Sequence, residues 1–122
     1  MNTNTTIMIV DDNLINLKLV SDLLDLEGFK VLRCTDAETA LTTLSQVLPD
    51  LILMDIALPG MDGIQLTQKL KTEQRTATIK IVALTSFAMK GDRERMMDAG
   101  CDGYITKPID TRKFMDQISH YL

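Results

Sequence analysis

The sequence PDLILMDIALPG, residues 49–60, decides the fold. From Leu51 to Ile56 five of the six residues are apolar, and Asp55 is the exception. A continuous apolar run bounded by proline and glycine predicts a strand buried on both faces, as in the middle of a parallel sheet. A carboxylate near the end of such a strand is costly unless something compensates it, and ligands bind at this end of parallel strands. Asp55 is therefore either a functional residue or the cap of a turn.

The length and composition indicate one ordinary globular domain over residues 1–122. Apolar residues make up 45% of the chain and charged residues 25%, which is typical of a soluble protein. The net charge of −4 argues against nucleic-acid binding, because nucleic-acid domains are usually basic. No apolar run approaches a membrane span, and the N-terminus has no secretion signal. We therefore expect a cytoplasmic protein without nucleic-acid or membrane partners.

The cysteines and the histidine exclude several kinds of site. Cys34 and Cys101 lack metal-binding spacing and are too few for a disulfide framework. We expect both to be reduced, mostly buried thiols. His120 is the only histidine and lies near the end of the chain, which argues against histidine catalysis and histidine-rich metal sites.

Strand and helix patterns alternate five times along the chain. The apolar runs predict strands over residues 6–10, 29–34, 51–56, 79–84 and 103–106. The periodic stretches predict helices over residues 14–27, 37–47, 64–73, 88–99 and about 110–121. This alternation predicts an α/β fold with a parallel sheet and helices on both faces. Right-handed crossovers then place the carboxyl ends of all strands at one edge.

Chemistry-bearing residues follow four of these strands. Asp11 and Asp12 follow the first strand, Asp55 ends the third, Thr85 follows the fourth and Lys107 follows the fifth. Three converging carboxylates repel one another and need a cation, and an oxygen-only cluster suits Mg²⁺. A lysine and a hydroxyl nearby can hold a transferring phosphoryl group, and an aspartate can be its acceptor. The pattern therefore predicts Mg²⁺-dependent phosphoryl transfer onto a strand-end carboxylate.

These motifs resemble the receiver domains of two-component response regulators. The matching segments are DD at 11–12, LMD at 53–55, LPGMDG at 58–63, ALT at 83–85 and KP at 107–108. The segment FAMKGD at 87–92 looks like DivK-type stand-alone regulators and the receivers of hybrid histidine kinases. The resemblance covers the chain from Ile7 to about Leu122, and it implies a flavodoxin-like (βα)₅ three-layer sandwich with strand order 2-1-3-4-5.

The resemblance also implies roles for individual residues. Asp55 would be the phosphoacceptor. Asp11, Asp12, Asp55 and the backbone carbonyl of Ala57 would hold Mg²⁺.

Three further residues would respond to the phosphoryl group. Lys107 would neutralise it, and Thr85 would hydrogen-bond it in the active state. Tyr104 matches the aromatic switch residue of the family. The residue after the threonine is usually alanine in the family, whereas here it is Ser86, which is still small.

Two apolar residues predict a long-lived phosphorylated state. Ala57 lies two residues after Asp55, and Phe87 lies two residues after Thr85. Neither side chain can orient a water molecule for in-line attack, and Phe87 can cover its approach. The alternative is that Phe87 packs against the following helix and has no kinetic role.

Two apolar patches are candidate partner surfaces. Leu14 and Leu17 form an exposed stripe that would suit docking of a four-helix kinase or phosphotransfer domain. The alternative is a wider core face of the same helix. Met89 and Met96, together with Met97, could form an adaptable partner surface, or they could fill the core.

The leading functional hypothesis is a single-domain receiver that accepts phosphate from a phosphohistidine. Its partners would be a histidine kinase or a histidine phosphotransfer protein and an unknown downstream protein, and it would be a monomer or a weak phosphorylation-dependent dimer. The alternative is a receiver excised from a hybrid histidine kinase. It would not be an enzyme acting on other substrates. A haloacid-dehalogenase-type phosphatase needs a second aspartate where Ala57 stands, and a flavodoxin-like cofactor binder needs a phosphate loop after the first strand.

Overall fold

A computed structural model describes residues 4–86 and 89–122. The strands are β1 (Thr6–Val10), β2 (Lys30–Cys34), β3 (Leu51–Asp55), β4 (Lys80–Thr85) and β5 (Gly103–Thr106). The helices are α1 (Leu14–Leu26), α2 (Ala37–Leu44), α3 (Gly63–Thr72), α4 (Lys90–Ala99) and α5 (Phe114–Ser119). No helix in these two ranges has both the length and the apolar character to cross a membrane.

The five strands form one parallel sheet in the order β2-β1-β3-β4-β5. This arrangement confirms the predicted fold class. Strand β3 is central, and all five of its residues are buried. In the register, Val10 pairs with Met54, and Asp55 pairs with Leu84. The strand ends therefore meet at one edge of the sheet, as right-handed crossovers require.

Alternating residues of each strand contribute to two separate cores. On one face, helices α1 and α5 cover a cluster that includes Ile7, Ile9, Leu51 and Leu53. On the other face, helices α2, α3 and α4 cover a cluster that includes Met8, Val10, Ile52, Met54, Ile81 and Ala83. Because side chains point to opposite faces with a period of two, every apolar residue of a central strand is buried. The run at 51–54 is apolar throughout for this reason.

Two predicted partner-surface residues lie in the core instead. Leu17 is only 7% exposed, and Met96 is only 2% exposed. In α1 the buried stripe contains Leu17, Val20, Ser21 and Leu24, which recur at the helical period. The expectation that Leu17 is a surface residue was wrong because the phase of the helix was misjudged. Core filling, the alternative reading of the methionines, applies to Met96.

The other predicted surface residues are exposed. Leu14 is 68% exposed and Met89 is 79% exposed, as expected. Ile15 is 80% exposed, so the exposed apolar pair at the start of α1 is Leu14 with Ile15 and not Leu14 with Leu17. The two cysteines are free and buried, and burial raises the pKa of both thiols.

Two helix boundaries differ from the sequence prediction by three residues or more. Helix α2 ends at Leu44, because the Ser45 hydroxyl and backbone N–H turn back onto carbonyls of the last turn. Helix α5 begins at Phe114 rather than near residue 110. Asp110 instead caps a preceding turn, where its side chain accepts from the Arg112 N–H and its carbonyl accepts from the Lys113 N–H.

A half-buried ion pair ties α3 to the start of β4 and to the turn before β5. The Lys71 ammonium donates to Asp102 Oδ2 at 3.0 Å and to the Ile79 carbonyl at 2.7 Å. Asp102 Oδ2 also accepts from the Ile81 backbone N–H at 2.8 Å. The side chains of Lys71 and Asp102 are 19% and 27% exposed, so solvent screens this pair only in part.

We predict that Asp102→Ala lowers the free energy of unfolding by about 2 kcal/mol, because it leaves an ammonium and a strand N–H without their charged acceptor. Asp22→Ala is the control, since Asp22 pairs with Lys18 at a site where the side chains are 55% and 77% exposed. The control is expected to cost at most about 0.5 kcal/mol. Urea unfolding followed by circular dichroism measures both, and equal losses would contradict the assignment.

Candidate functional site

A cleft of about 460 Å³ opens at the carboxyl edge of the sheet. Its lining residues come from the ends of four strands and from the start of α1. They are Asp12, Asn13, Asn16, Asp55, Ala57, Thr85, Ser86 and Lys107. The structure therefore brings together the residues that the sequence placed at the strand ends.

Three carboxylates meet at this cleft. Asp11, Asp12 and Asp55 each offer an oxygen, and these oxygens all lie within 4.8 Å of one another. Asp12 is exposed and faces the cleft. Asp55 also lines the cleft but is only 6% exposed, and Asp11 is fully buried. Carboxylates at this separation repel one another strongly where water is excluded.

The strand register explains why these groups converge. Asp11 continues the alternation of Ile7 and Ile9, and Asp55 continues that of Leu51 and Leu53. Because β1 and β3 pair directly, with Val10 opposite Met54, the next residues along the two strands are neighbours. Both carboxylates thus emerge on the same side of the sheet, at the point where the apolar cluster ends.

Lys107 bridges the two buried carboxylates. Its ammonium lies 3.2 Å from Asp11 Oδ2 and 3.3 Å from Asp55 Oδ2. The backbone of Lys107 is fixed in turn, because its N–H donates to the Thr85 carbonyl at 2.7 Å. Among the described residues that line the cleft, Lys107 is the only cation. One ammonium therefore faces three carboxylates, and the site retains a net negative charge.

Backbone N–H groups hold the other oxygens of the buried carboxylates. The Asn13 N–H donates to Asp11 Oδ1 at 2.9 Å, and the Ala57 N–H donates to Asp55 Oδ1 at 3.0 Å. Burial nevertheless raises the pKa of Asp11, and the charge of Asp55 raises it further. The Asn13 N–H and Lys107 oppose this rise without cancelling it. Ionisation of Asp11 next to Asp55 is thus energetically unfavourable in the folded protein.

The donor set fits a hard divalent cation. All the ligand atoms are carboxylate oxygens, and they lie within 4.8 Å of one another. Oxygen ligands with few carboxylates and an opening to water are what Mg²⁺ prefers. The charge left uncompensated by Lys107 adds an electrostatic reason for such an ion to bind.

Thr85 and Tyr104 lie toward the α4 side of the site. Thr85 is 3% exposed and borders both the cleft and a small cavity of about 30 Å³. The rest of that cavity is lined by Ile56, Ile64, Met96 and the charged α4 residues Asp92 and Arg95. Tyr104 is half-buried and lines a surface groove with the outer residues of α4, and it does not line the cavity beside Thr85.

The two lifetime residues differ in what the structure shows of them. Ala57 is exposed and lines the cleft. Phe87 lies outside the described residues.

The cleft also contains polar residues to which the sequence analysis gave no role. Asn13, Asn16 and Ser86 all line it. Asn13 is the N-cap of α1, and its side chain accepts from the Ile15 and Asn16 N–H groups. An asparagine directly before a periodic apolar stretch is a helix N-cap signal, so Asn13 could have been placed from the sequence.

Comparison with known proteins agrees with this geometry. A family model described as the response regulator receiver domain matches residues 7–119. The chain belongs to this family. As a receiver domain, it is a phosphoacceptor of two-component signalling, and the resemblance found in its motifs is confirmed. It is 43% identical over 117 residues to the polar-differentiation response regulators DivK of Brucella ovis and Brucella abortus, and the match covers 96% of this chain and 95% of each relative.

Solved structures share the receiver fold. The chemotaxis response regulator CheY4 of Vibrio cholerae superposes with a TM-score of 0.92 at 21% identity, over 97% of this chain and 98% of that one. The receiver domain of the sensor histidine kinase PA1611 from Pseudomonas aeruginosa superposes with a TM-score of 0.87 at 29% identity, over 96% of each chain. That receiver carries a magnesium ion coordinated in its active-site cleft.

We predict that Asp11→Asn stabilises the metal-free receiver at neutral pH. The pKa of Asp11 is raised in the folded state, so the folded protein binds this proton more tightly than the unfolded chain does. Ionisation of Asp11 therefore costs stability. The cost is absent below the unfolded pKa of about 4 and grows as the pH rises toward the higher folded value.

Urea unfolding in Mg²⁺-free buffer between pH 3 and pH 7 tests this. The stability of Asp11→Asn relative to the wild type is expected to increase from pH ~4 upward and then to level off. Asp116→Asn, an exposed site on α5, is the control and should show no such divergence. A wild type that gains stability relative to Asp11→Asn as the pH rises would contradict the prediction.

Proposed function

We propose that this receiver accepts a phosphoryl group on Asp55 from the phosphohistidine of a histidine kinase or a histidine phosphotransfer protein. The observation that carries the proposal is the position of Asp55. It ends the central strand, borders an open cleft, contacts Lys107 at 3.3 Å and belongs to a three-carboxylate cluster. A nucleophilic carboxylate, a cation and a metal-binding set are the parts that transfer to an aspartate requires.

Asp11, Asp12, Asp55 and the backbone carbonyl of Ala57 would hold Mg²⁺ at this edge. When bound, Mg²⁺ supplies positive charge that offsets the negative charge of the incoming phosphoryl group. Asp12 faces the cleft directly, while the buried Asp11 would contribute its charge and holds Lys107 by an ion pair. The magnesium ion in the Pseudomonas aeruginosa receiver supports this assignment.

Lys107 and Thr85 would each form a hydrogen bond to the phosphoryl group after transfer. Two charge-assisted hydrogen bonds are worth about 1.5–3 kcal/mol each. Shifting a conformational equilibrium from 1:99 to 99:1 needs about 5.5 kcal/mol of differential binding. The upper part of the range suffices, so phosphorylation can act as a population shift.

Tyr104 would report that shift through α4. Its ring lies in the outer groove, and the cavity behind Thr85 has only about 30 Å³. This volume has room for one or two water molecules and not for a phenol ring. An inward turn of Tyr104 therefore requires α4 to move away from β4, which would change the surface that carries Met89 and Met97.

The surface at the start of α1 would receive the phosphohistidine partner. Leu14, Ile15 and Leu19 line an open groove of about 490 Å³ together with Lys18 and Asp22. Leu14 and Ile15 follow the cleft residues Asp12 and Asn13 in the chain. An apolar patch beside the acceptor suits a helical partner that must present a histidine to Asp55.

We propose a stand-alone cytoplasmic regulator rather than a receiver excised from a hybrid kinase. The match to the DivK response regulators covers 95% of their length. These relatives therefore contain little beyond a receiver domain, which supports the stand-alone role.

The decisive experiment is Asp55→Asn with acetyl phosphate and Mg²⁺. Intact-mass analysis is expected to show one phosphoryl adduct on the wild type and none on the variant, because an amide is not a nucleophile here. Asp116→Asn, far from the cleft, is the control and should be phosphorylated like the wild type. A stable adduct on Asp55→Asn would show that the acceptor is another residue.

Lys107→Ala and Thr85→Ala are expected to separate transfer from response. Lys107→Ala should slow phosphorylation roughly 100-fold, since it removes a cation placed at developing charge. Thr85→Ala should accept phosphate within a fewfold of the wild-type rate, yet the NMR signals of α4 and Tyr104 should no longer shift on phosphorylation. Thr106→Ala, an exposed threonine beside Thr85 in the sheet, is the control. Equal slowing of phosphorylation by both variants would contradict this division.

Ile15→Lys is expected to slow transfer from a phosphorylated histidine kinase about tenfold, because burying an isoleucine side chain is worth about 1.5–3 kcal/mol. Phosphorylation by acetyl phosphate should not change. Leu26→Lys is the matched control, since Leu26 is an equally exposed apolar residue at the opposite end of α1. Transfer rates that fall equally in both variants would remove the docking assignment.

A further inference from the structure

Asn16 interrupts the apolar side of α1 at the cleft. It lies four and eight residues before Val20 and Leu24, which are buried against the sheet, so the three residues share one face of the helix. Of these three residues, Asn16 is the nearest to the carboxyl edge of the sheet. Val20 and Leu24 belong to the apolar cluster, whereas Asn16 lines the cleft. It is half-buried, so its polar side chain lies where the apolar face of the helix meets the cleft.

The side chain of Asn16 is available for a partner in the cleft. The side-chain Oδ1 of the neighbouring Asn13 is already occupied, since it accepts from the Ile15 N–H at 3.0 Å and from the Asn16 N–H at 3.1 Å. The side-chain amide of Asn16, by contrast, makes no hydrogen bond to any residue within 4–86 or 89–122. It borders the same space as Asp55, Thr85 and Lys107.

A neutral polar group opposite Asp55 would serve both directions of phosphoryl transfer. In phosphoryl transfer the entering and leaving groups lie in line on opposite sides of phosphorus. The position opposite Asp55 holds the donor nitrogen during phosphorylation and a water molecule during hydrolysis. Ala57 offers no polar side-chain atom there, and Asp12 can only accept while ionised. An asparagine amide can both donate and accept.

We propose that Asn16 contacts and positions the group in line with Asp55 in both directions of the reaction. This inference rests on the proposed function of Asp55. In phosphorylation by phosphoramidate, the P–N bond breaks as the bond from Asp55 to phosphorus forms, and the already protonated nitrogen leaves as ammonia. In hydrolysis, water oxygen bonds to phosphorus, the bond to Asp55 breaks and the water proton ends on phosphate. Asn16 Oδ1 accepts an N–H or O–H hydrogen bond and takes no proton.

The test compares wild type, Asn16→Leu, Asn16→Gln and Gln68→Leu. Leucine keeps the size of asparagine and removes the amide, glutamine keeps the amide, and Gln68 is an exposed amide on α3 outside the cleft. Phosphoramidate with Mg²⁺ is the donor. Intact-mass analysis gives the rate of phosphorylation and, after removal of the donor, the rate of phosphate loss. Mg²⁺ affinity is followed by NMR on the unphosphorylated proteins.

Asn16→Leu is expected to slow both steps about tenfold with unchanged Mg²⁺ affinity, while Asn16→Gln recovers most of both rates and Gln68→Leu matches the wild type. The proposal is overturned if Asn16→Leu stays within twofold of the wild type in both steps, if it slows them only by weakening Mg²⁺ binding, or if Gln68→Leu slows them equally. A wild type that takes up no phosphoryl group would instead overturn the function proposed for Asp55.

Discussion

The crowding of Asp11 and Asp55 at the ends of two paired strands is the constraint on which this site depends. Both carboxylates are buried, and direct pairing of β1 with β3 makes them neighbours. The protein supplies one ammonium, from Lys107, and two backbone N–H groups, which do not neutralise the cluster once Asp12 is included. The fold therefore holds a site whose charge is balanced only when a cation binds. A bound cation also reduces the electrostatic repulsion between the carboxylates and an incoming phosphoryl group.

The elements around Asp55 differ in how firmly they are held. Helix α3 starts with a complete capping box, and a Cβ on Gly63 would collide with the Asp55 backbone carbonyl, so α3 packs directly against the end of β3. Helix α4 has no side-chain cap at Met89. Its buried residues are few, namely Met96 and Ala99. A helix with few buried contacts moves at low cost, which suits α4 to respond to a change at Asp55, the proposed acceptor.

The sequence was sufficient for the fold and for the residues at the strand ends. The apolar run before Asp55 could only be a central strand, and once the strands were parallel, Asp11, Asp12, Thr85 and Lys107 had to share its edge. Helix faces were harder to predict, because a shift of one residue rotates a side chain by 100°. That shift placed Leu17 on the surface. The role proposed for Asn16 could not be predicted either, since whether its amide finds a partner depends on packing that no spacing reveals.

The charged residues of the site and Thr85 lie on opposite faces of the sheet. Asp11, Asp55 and Lys107 continue the alternation that faces α1 and α5, and there the Lys107 ammonium pairs with both carboxylates. Thr85 continues the alternation of Ile81 and Ala83, which faces α3 and α4. Adjacent strand residues point to opposite faces, so a phosphoryl group at the edge can be neutralised from one side and read from the other. The period of the β-strand thus connects Asp55, the proposed acceptor, to helix α4 through neighbouring residues at one edge of the sheet.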